Sequence, residues 1–307
     1  MKGTSEPEAH MAKEEFIYID ENINVLRGDE AHRALSSRSD ASYIGDAGGI
    51  HSVDRDRWLE AQRCERRHWF NHEARVADDH NYQNMRGFDN YRVLSGMTFQ
   101  RAMELGCGPF TNARYVAQGC RIECLDLLDP LIGDYLKHRN RYYNNDKLLV
   151  APKIRRYSGI HKRLPWLWWS AAPVLGRIVP IGQLIQSSIE SFEVTGQLYD
   201  LVIIINVLEH CYDLDRIFDQ IDSMLTPDGV LVFGDIGFDA EELHRVGARQ
   251  WDAAHPLRPS TATIGEFLSR FEPLLDSARS VSTGVYEKCT FRNFIGRRRN
   301  AAGASQS

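Results

Sequence analysis

No stretch of this sequence stays apolar for the roughly 20 residues that a bilayer-spanning helix needs. The opening residues, MKGTSEPEAHMAKEE, contain no apolar core segment and do not read as a secretion signal. An excess of positive charge is missing as well. Lysine and arginine number 37 against 42 aspartates and glutamates, a formal net charge of −5. That balance offers no basic face to a phosphate backbone, so no nucleic-acid partner is expected. Cysteine is sparse. The 6 residues Cys64, Cys107, Cys120, Cys124, Cys211 and Cys289 form no C-x-x-C pair and no finger-like spacing with histidine. A structural zinc site is therefore not expected. Most of these thiols sit in apolar runs, which predicts buried free cysteines in a reducing, cytoplasmic setting. Internal repeats are absent.

What is present is an ordinary globular composition, 43% hydrophobic and 26% charged over 307 residues. That length holds one large α/β domain with additions. Residues 1–53 have little periodicity and read as a flexible arm, disordered in part or draped over the domain. Asp54 is an N-cap candidate for a helix reaching Phe70, with Trp58, Ala61, Gln62 and Trp69 near one stripe. Residues 54–96 thus form a helical cap on the substrate side.

An alternation follows. Arg101 to Leu105 is a short strand, and Asn112 to Gln118 a helix that Gly119 closes as a C′ residue. Arg121 to Leu125 is a strand and Pro130 to Tyr142 a helix. Ile181 to Gln186 and Leu201 to Asn206 are strands. Leu214 to Leu225 is an amphipathic helix with Ile217, Ile221 and Leu225 on one face. Pro227-Asp228-Gly229 turns into the strand Val230 to Phe233. Near-continuous apolar strands alternating with helices predict a parallel sheet covered on both faces. Ser280 to Ile295 reads as an antiparallel edge hairpin around Thr283-Gly284. Residues 297–307 read as a disordered tail.

Gly106 and Gly108 follow the first of these strands and precede a helix. Ligands of parallel α/β sheets sit at the carboxyl ends of the strands, where glycine admits close backbone approach. A dinucleotide loop would be G-x-G-x-x-G, but the third position here is Thr111.

The segment Met103-Glu104-Leu105-Gly106-Cys107-Gly108-Pro109 instead resembles motif I of class I S-adenosylmethionine-dependent methyltransferases. Further motifs follow in order. Asn206-Val207-Leu208-Glu209-His210 resembles the Leu-Glu-His end of the family's fourth strand, and Leu225 to Val232 its Pro-Gly-Gly turn, with Asp228 in place of the first glycine. The likeness covers Gly96 to the C-terminal hairpin. It implies a Rossmann-like, seven-stranded, mostly parallel sheet over residues 97–296 and S-adenosyl-L-methionine as cofactor. Its implied pocket comprises Glu104, Gly106, Cys107 and Gly108, then Asp126 with Leu127, Ile189 with Glu190, and Asn206 with Val207. Asp126 is the implied acceptor for the ribose hydroxyls, with Asp129 as its competitor. Ile189 and Glu190 fall in the loop that contacts adenine.

Methyl transfer to a hydroxyl needs an aligned nucleophile and a base. His255, His210 and Asp235 are the candidates. Each has a plainer reading: a turn residue before Pro256, a helix-start hydrogen bond, and a cap, respectively. In quinone-type O-methyltransferases an upstream Glu joins the Glu-His pair on a metal. Asn206 stands there in this chain, so no metal is predicted.

Residues 143–180 are an insertion. It is basic from Lys153 to Arg163 and then carries Trp166, Trp168 and Trp169. Three readings stay open: a packed or homodimer contact, which is favoured; a membrane or lipid-carrier contact; and a substrate contact. The expected activity is O-methylation of a small molecule, a sugar or secondary metabolite in a biosynthetic pathway. The alternatives are a surface polysaccharide or lipid-linked saccharide as acceptor, and a non-catalytic cofactor-binding regulatory protein.

Overall fold

The computed structural model describes residues 17–22, 24–38, 49–71, 88–137, 141–150, 177–243, 250–281 and 289–299. In chain order the strands are β1 (Ile17–Ile19), β2 (Val25–Arg27), β3 (Thr98–Phe99), β4 (Ala102–Leu105), β5 (Arg121–Ile122), β6 (Leu125–Leu128), β7 (Lys147–Val150), β8 (Arg177–Ile185), β9 (Tyr199–Ile205), β10 (Leu225–Gly237), β11 (Gln250–Asp252), β12 (Phe271–Ser280) and β13 (Thr290–Arg298). The helices used below are α1 (Gly28–Ser36), α2 (Arg55–Asn71), α3 (Ala113–Gly119), α4 (Ile132–Tyr135), α5 (Leu214–Met224) and α6 (Thr261–Leu268).

The main sheet runs β12-β13-β10-β9-β4-β6-β8-β7. Its five central strands are parallel, and both edges are antiparallel. The fold is the expected Rossmann-like class. Among the described residues the sheet has eight strands rather than seven, because the start of the insertion supplies β7, antiparallel to β8. Residues 151–176 of the insertion, with its tryptophans and basic run, lie outside the described residues, as does Thr283-Gly284.

Strand order explains where a ligand can sit. The chain goes outward from β4 through β6 to β8 and then returns to β9 on the other side of β4. The loops after β4 and β9 therefore diverge and open a crevice at the carboxyl edge.

Alternate residues of the apolar strands feed two cores. Ala102, Leu125, Leu127, Leu201 and Ile203 pack with Val116 and Ala117 of α3 on one face. Met103, Leu105, Leu128, Val202 and Ile204 pack with Leu214, Ile217, Phe218 and Ile221 of α5 on the other. This two-sided burial is why these strands show no polar alternation.

Several boundaries shift. The helix expected over Pro130 to Tyr142 is the short α4. The C-terminal hairpin starts at Phe271, and Arg297 and Arg298 end β13 instead of opening a tail. Gly119 closes α3 without a left-handed φ. It is needed because a Cβ there would lie 2.0 Å from the Tyr91 carbonyl oxygen. Within the expected arm, β1 pairs antiparallel with β2 and parallel with β11. No described helix is long and apolar enough to cross a membrane.

Candidate functional site

Glu104 ends its side chain under the start of α3. Its Oε1 accepts from the Asn112 amide at 2.6 Å, and its Oε2 accepts from the Thr111 hydroxyl and from the Ala113 amide. An acidic group at a helix N-terminus meets unpaired amides and the positive dipole end. Burial pushes its pKa up to about 7, against these hydrogen bonds. Glu104 thus shapes the glycine loop by capping α3.

Gly106 has φ +65 and Gly108 φ +55. A Cβ on Gly106 would lie 2.6 Å from Val207 Cγ2, so the loops after β4 and β9 touch at the crevice. Gly108 has open space where a side chain would begin. The Cys107 side chain faces away, into the core beside Tyr143, and its amide donates to the Leu128 carbonyl. Leu127 is likewise core, on the same side as Ala102 and Ile203. Both side chains are buried in the core and do not line the crevice.

The two aspartates of β6 and its end divide clearly. Asp126 pairs with Met103, low on the strand. Its Oδ2 accepts from Arg101 Nη2 at 2.7 Å and the Tyr199 hydroxyl at 2.8 Å. Asp129 follows the last residue of β6, about 10 Å further along at 3.3 Å per residue. Its Oδ2 accepts from the Gly108 amide at 3.0 Å and its Oδ1 from the Leu131 amide at 2.8 Å. The carboxylate beside the glycine loop is therefore Asp129, and Asp126 is an ion-pair anchor at the opposite edge. Burial raises the Asp129 pKa to about 6.

Ile189 and Glu190 form a short 3-10 turn after β8, capped by Ser188. Both are buried. Glu190 Oε1 accepts from the Tyr212 amide at 2.7 Å, while its Oε2 is buried without a partner. Asn206 stands at φ +58 at the end of β9. A non-glycine residue there stores strain, and such outliers gather at functional sites. Thr111, at φ +47, is a second one in the glycine loop.

Asp235 does not face a pocket. Its Oδ2 accepts from the amides of Val207 and Leu208, both at 2.9 Å, and its Oδ1 from Ile236. All three of these hydrogen bonds serve backbone amides, so the capping reading applies in place of the catalytic one. Burial raises its pKa to about 6.

His210 and His255 come together, with ring centroids 4.6 Å apart. His210 closes the 3-10 turn Leu208–His210. Its carbonyl oxygen accepts from Trp58 Nε1 and Gln62 Nε2 of α2, both at 3.1 Å. Asp54 caps that helix through the Arg57 amide, as expected. One turn beyond Gln62, Glu65 places Oε1 3.3 Å from His210 Nδ1. Its Oε2 accepts from Trp69 Nε1, and the Trp69 ring meets Phe110 of the glycine loop edge-on at 5.3 Å. Helix α2 therefore spans the crevice as a roof.

His255 is fixed from below. Its Nδ1 lies 2.8 Å from Asp252 Oδ2, and its Nε2 3.7 Å from Glu209 Oε1. Asp252 and Glu209 raise the His255 pKa to about 9 against desolvation, and His255 with Arg258 holds the Asp252 carboxyl well below its usual range. Arg57 of α2 clamps the carbonyls of Asp252 and Ala253.

Sequence reading named His210 and His255 but missed Glu65, Asp252 and Glu209 as their partners. The i, i+4, i+7 run Trp58, Gln62, Glu65 was the available signal. One ligand-capable atom from each of Glu65, His210 and His255 lies within 4.8 Å of the other two.

A family model described as a methyltransferase domain matches residues 79–271. Comparison with curated proteins gives no match. Among solved structures, the N-methyltransferase NodS from Bradyrhizobium japonicum with S-adenosyl-L-homocysteine is 16% identical, with a TM-score of 0.44, over 79% of this chain and 98% of that one. A SAM-dependent methyltransferase from Leishmania major is 16% identical, TM-score 0.46, over 91% and 96%. A 1,6-didemethyltoxoflavin-N1-methyltransferase from Burkholderia thailandensis is 11% identical, TM-score 0.42, over 83% and 97%.

Proposed function

The chain belongs to the methyltransferase-domain family of class I S-adenosylmethionine-dependent enzymes, and on that premise we propose that it methylates a hydroxyl group of a small molecule, a sugar or secondary metabolite. S-adenosylmethionine supplies an activated methyl group on a sulfonium. The crevice suits it: the Gly106–Gly108 backbone, Asp129, the Ile189–Glu190 turn and the Asn206–Val207 bend would hold it. The cradle at Gly106 has no room for a side chain. Asp129, which faces the Gly108 amide, would accept the ribose hydroxyls in preference to Asp126, which faces Arg101.

The observation that carries the hydroxyl reading is the carboxylate-backed histidine pair under the α2 roof. A neutral amine is nucleophilic with its own lone pair, whereas a hydroxyl must lose a proton as it reacts. His210, beside Glu65 and Glu209, takes that proton. His255, fixed as a cation by Asp252, steadies the oxygen as it gains negative charge.

The test couples calorimetry with turnover. The protein is expected to bind S-adenosylhomocysteine and to methylate at least one member of a hydroxylated acceptor panel. His255→Gln is expected to lower turnover by about 100-fold or more, the scale of one group that stabilises developing negative charge, with cofactor affinity within about twofold. Loss of binding in the parent protein refutes the cofactor assignment. Binding with turnover only on amines refutes the hydroxyl assignment, and binding with no turnover supports a regulatory role.

A further inference from the structure

We propose that Glu65, His210 and His255 form a binding site for one divalent first-row transition-metal ion, in the zinc and manganese class, beneath helix α2. The proposal rests on the functional reading above only in placing the site beside the acceptor; in the metal-loaded protein both imidazoles are neutral ligands, and the ion takes the place of the His255 cation and the His210 base of the metal-free site. The ligand set itself stands on geometry.

The three donors already converge. One ligand-capable atom of each lies within 4.8 Å of the other two. Three donors on one ion at about 2.0–2.2 Å lie about 3.3–3.8 Å from one another. Glu65 Oε1 and His210 Nδ1 are already 3.3 Å apart, and a movement on the order of 1 Å by His255 completes the set. Two imidazoles and a carboxylate suit a transition ion, since magnesium and calcium favour all-oxygen sets.

Two further observations point to a ligand. Glu209 is 4% exposed, and its Oε2 is buried without a partner. Its Oε1 lies 3.9 Å from His210 Nε2 and 3.7 Å from His255 Nε2, so the side chain aims between the rings. His210 Nδ1 is also buried without a hydrogen-bond partner, although Glu65 Oε1 is only 3.3 Å away. Buried polar atoms left in this state are costly unless something satisfies them. A cation held by Glu65 and the facing nitrogen of His210 satisfies that nitrogen, and the Glu209 carboxylate behind the two rings adds negative charge beside the ion.

An outer support is built in. Asp252 engages His255 Nδ1 at 2.8 Å, which leaves Nε2 as the coordinating atom. A carboxylate behind a ligating histidine fixes its tautomer and raises its basicity. Glu65 is held through Trp69, and His210 through Trp58 and Gln62. The loss of an upstream acidic ligand at Asn206, the basis for expecting no metal, is made good here by a carboxylate from a different element.

The experiment uses the full chain stripped with a chelator and dialysed. Zinc chloride is titrated by calorimetry, and cobalt(II) chloride is added separately to read visible d–d absorption. One equivalent of zinc is expected at low micromolar Kd or tighter, with a cobalt band showing nitrogen ligation. Glu65→Gln and His210→Gln are each expected to weaken zinc by about tenfold or more, and Asp252→Asn by about 10–100-fold. Circular dichroism and melting curves establish that each variant is folded. Absence of stoichiometric zinc binding by the parent protein overturns the proposal. So does binding that all the folded variants retain. S-adenosylhomocysteine is titrated in parallel: if it binds while zinc does not, only the metal site fails, and the reverse outcome removes only the cofactor reading.

Discussion

Asp126 and Asp129 show how much three positions along a strand can change. Both are buried acids on β6 or at its end, yet one faces Arg101 and Tyr199 and the other the Gly108 amide. Asp129→Asn is expected to weaken S-adenosylhomocysteine by about 1–3 kcal/mol, the worth of a charge-assisted bond, whereas Asp126→Asn should leave that affinity within about twofold and lower the melting temperature. Calorimetry beside thermal melts separates them. pH adds a second readout. The Asp129 pKa is raised to about 6 from 3.8. In the cofactor-free protein its burial therefore costs stability increasingly as pH rises from about 4 to 6. Ribose hydroxyls prefer the ionised form, so affinity should be full above about pH 6 and decline below it. Asp129→Asn should flatten that decline. The sequence alone left the choice between these aspartates open because a strand end is uncertain by a few residues, and that uncertainty equals the whole distance between the two edges of the sheet.

At the scale of elements, the legible parts were those whose burial left a pattern. The central strands showed as unbroken apolar runs because both faces are covered. Asp54 caps α2 as its position in the sequence suggested, whereas the matching cap of α6 by Ser260 was not read there. The glycine loop showed because two glycines and Glu104 have no cheaper use at that spacing. What stayed hidden were pairings between distant segments. The stripe of Trp58, Gln62 and Glu65 marks an inward face but does not name His210 beneath it, and nothing near Asp235 announces that its lone pairs belong to Val207 and Leu208. Helix α2 makes the first of these links by holding the His210 carbonyl twice. Trp58→Phe removes one of these hydrogen bonds while keeping most of the ring's packing. It is expected to cost about 1 kcal/mol of stability and to lower turnover more than it lowers S-adenosylhomocysteine affinity. Equal losses in both would show that α2 supports the cofactor crevice instead of the histidines.

Over the whole molecule, the proposed site divides into a cofactor half made by the sheet and a proposed acceptor half made by additions to it. Substrate choice is commonly written in such additions. Here the additions brace each other. Trp251 of β11 stacks on Tyr18 of β1 at 4.8 Å, with the guanidinium of Arg38 3.9 Å and that of Arg57 4.6 Å from its ring. Asp252 and His255 follow directly. Tyr18→Ala removes one ring of that stack and should destabilise the protein by about 0.5–1.5 kcal/mol plus the lost burial. Turnover should fall while S-adenosylhomocysteine affinity holds within about twofold. If affinity falls in step with turnover, the two halves are not separable in this way.

The parallel pairing of β1 with β11 joins Ile17 to Gln250, about 230 residues apart along the chain. Closing so long a loop comes late, because its entropy is paid before its contacts are gained. A ribosome will thus have made the five parallel strands that border the cofactor crevice, the last of which ends at Gly237, before β11 can close onto β1. Chain order supplies the strands of the methyl-donor crevice ahead of His255 and the strand that braces it.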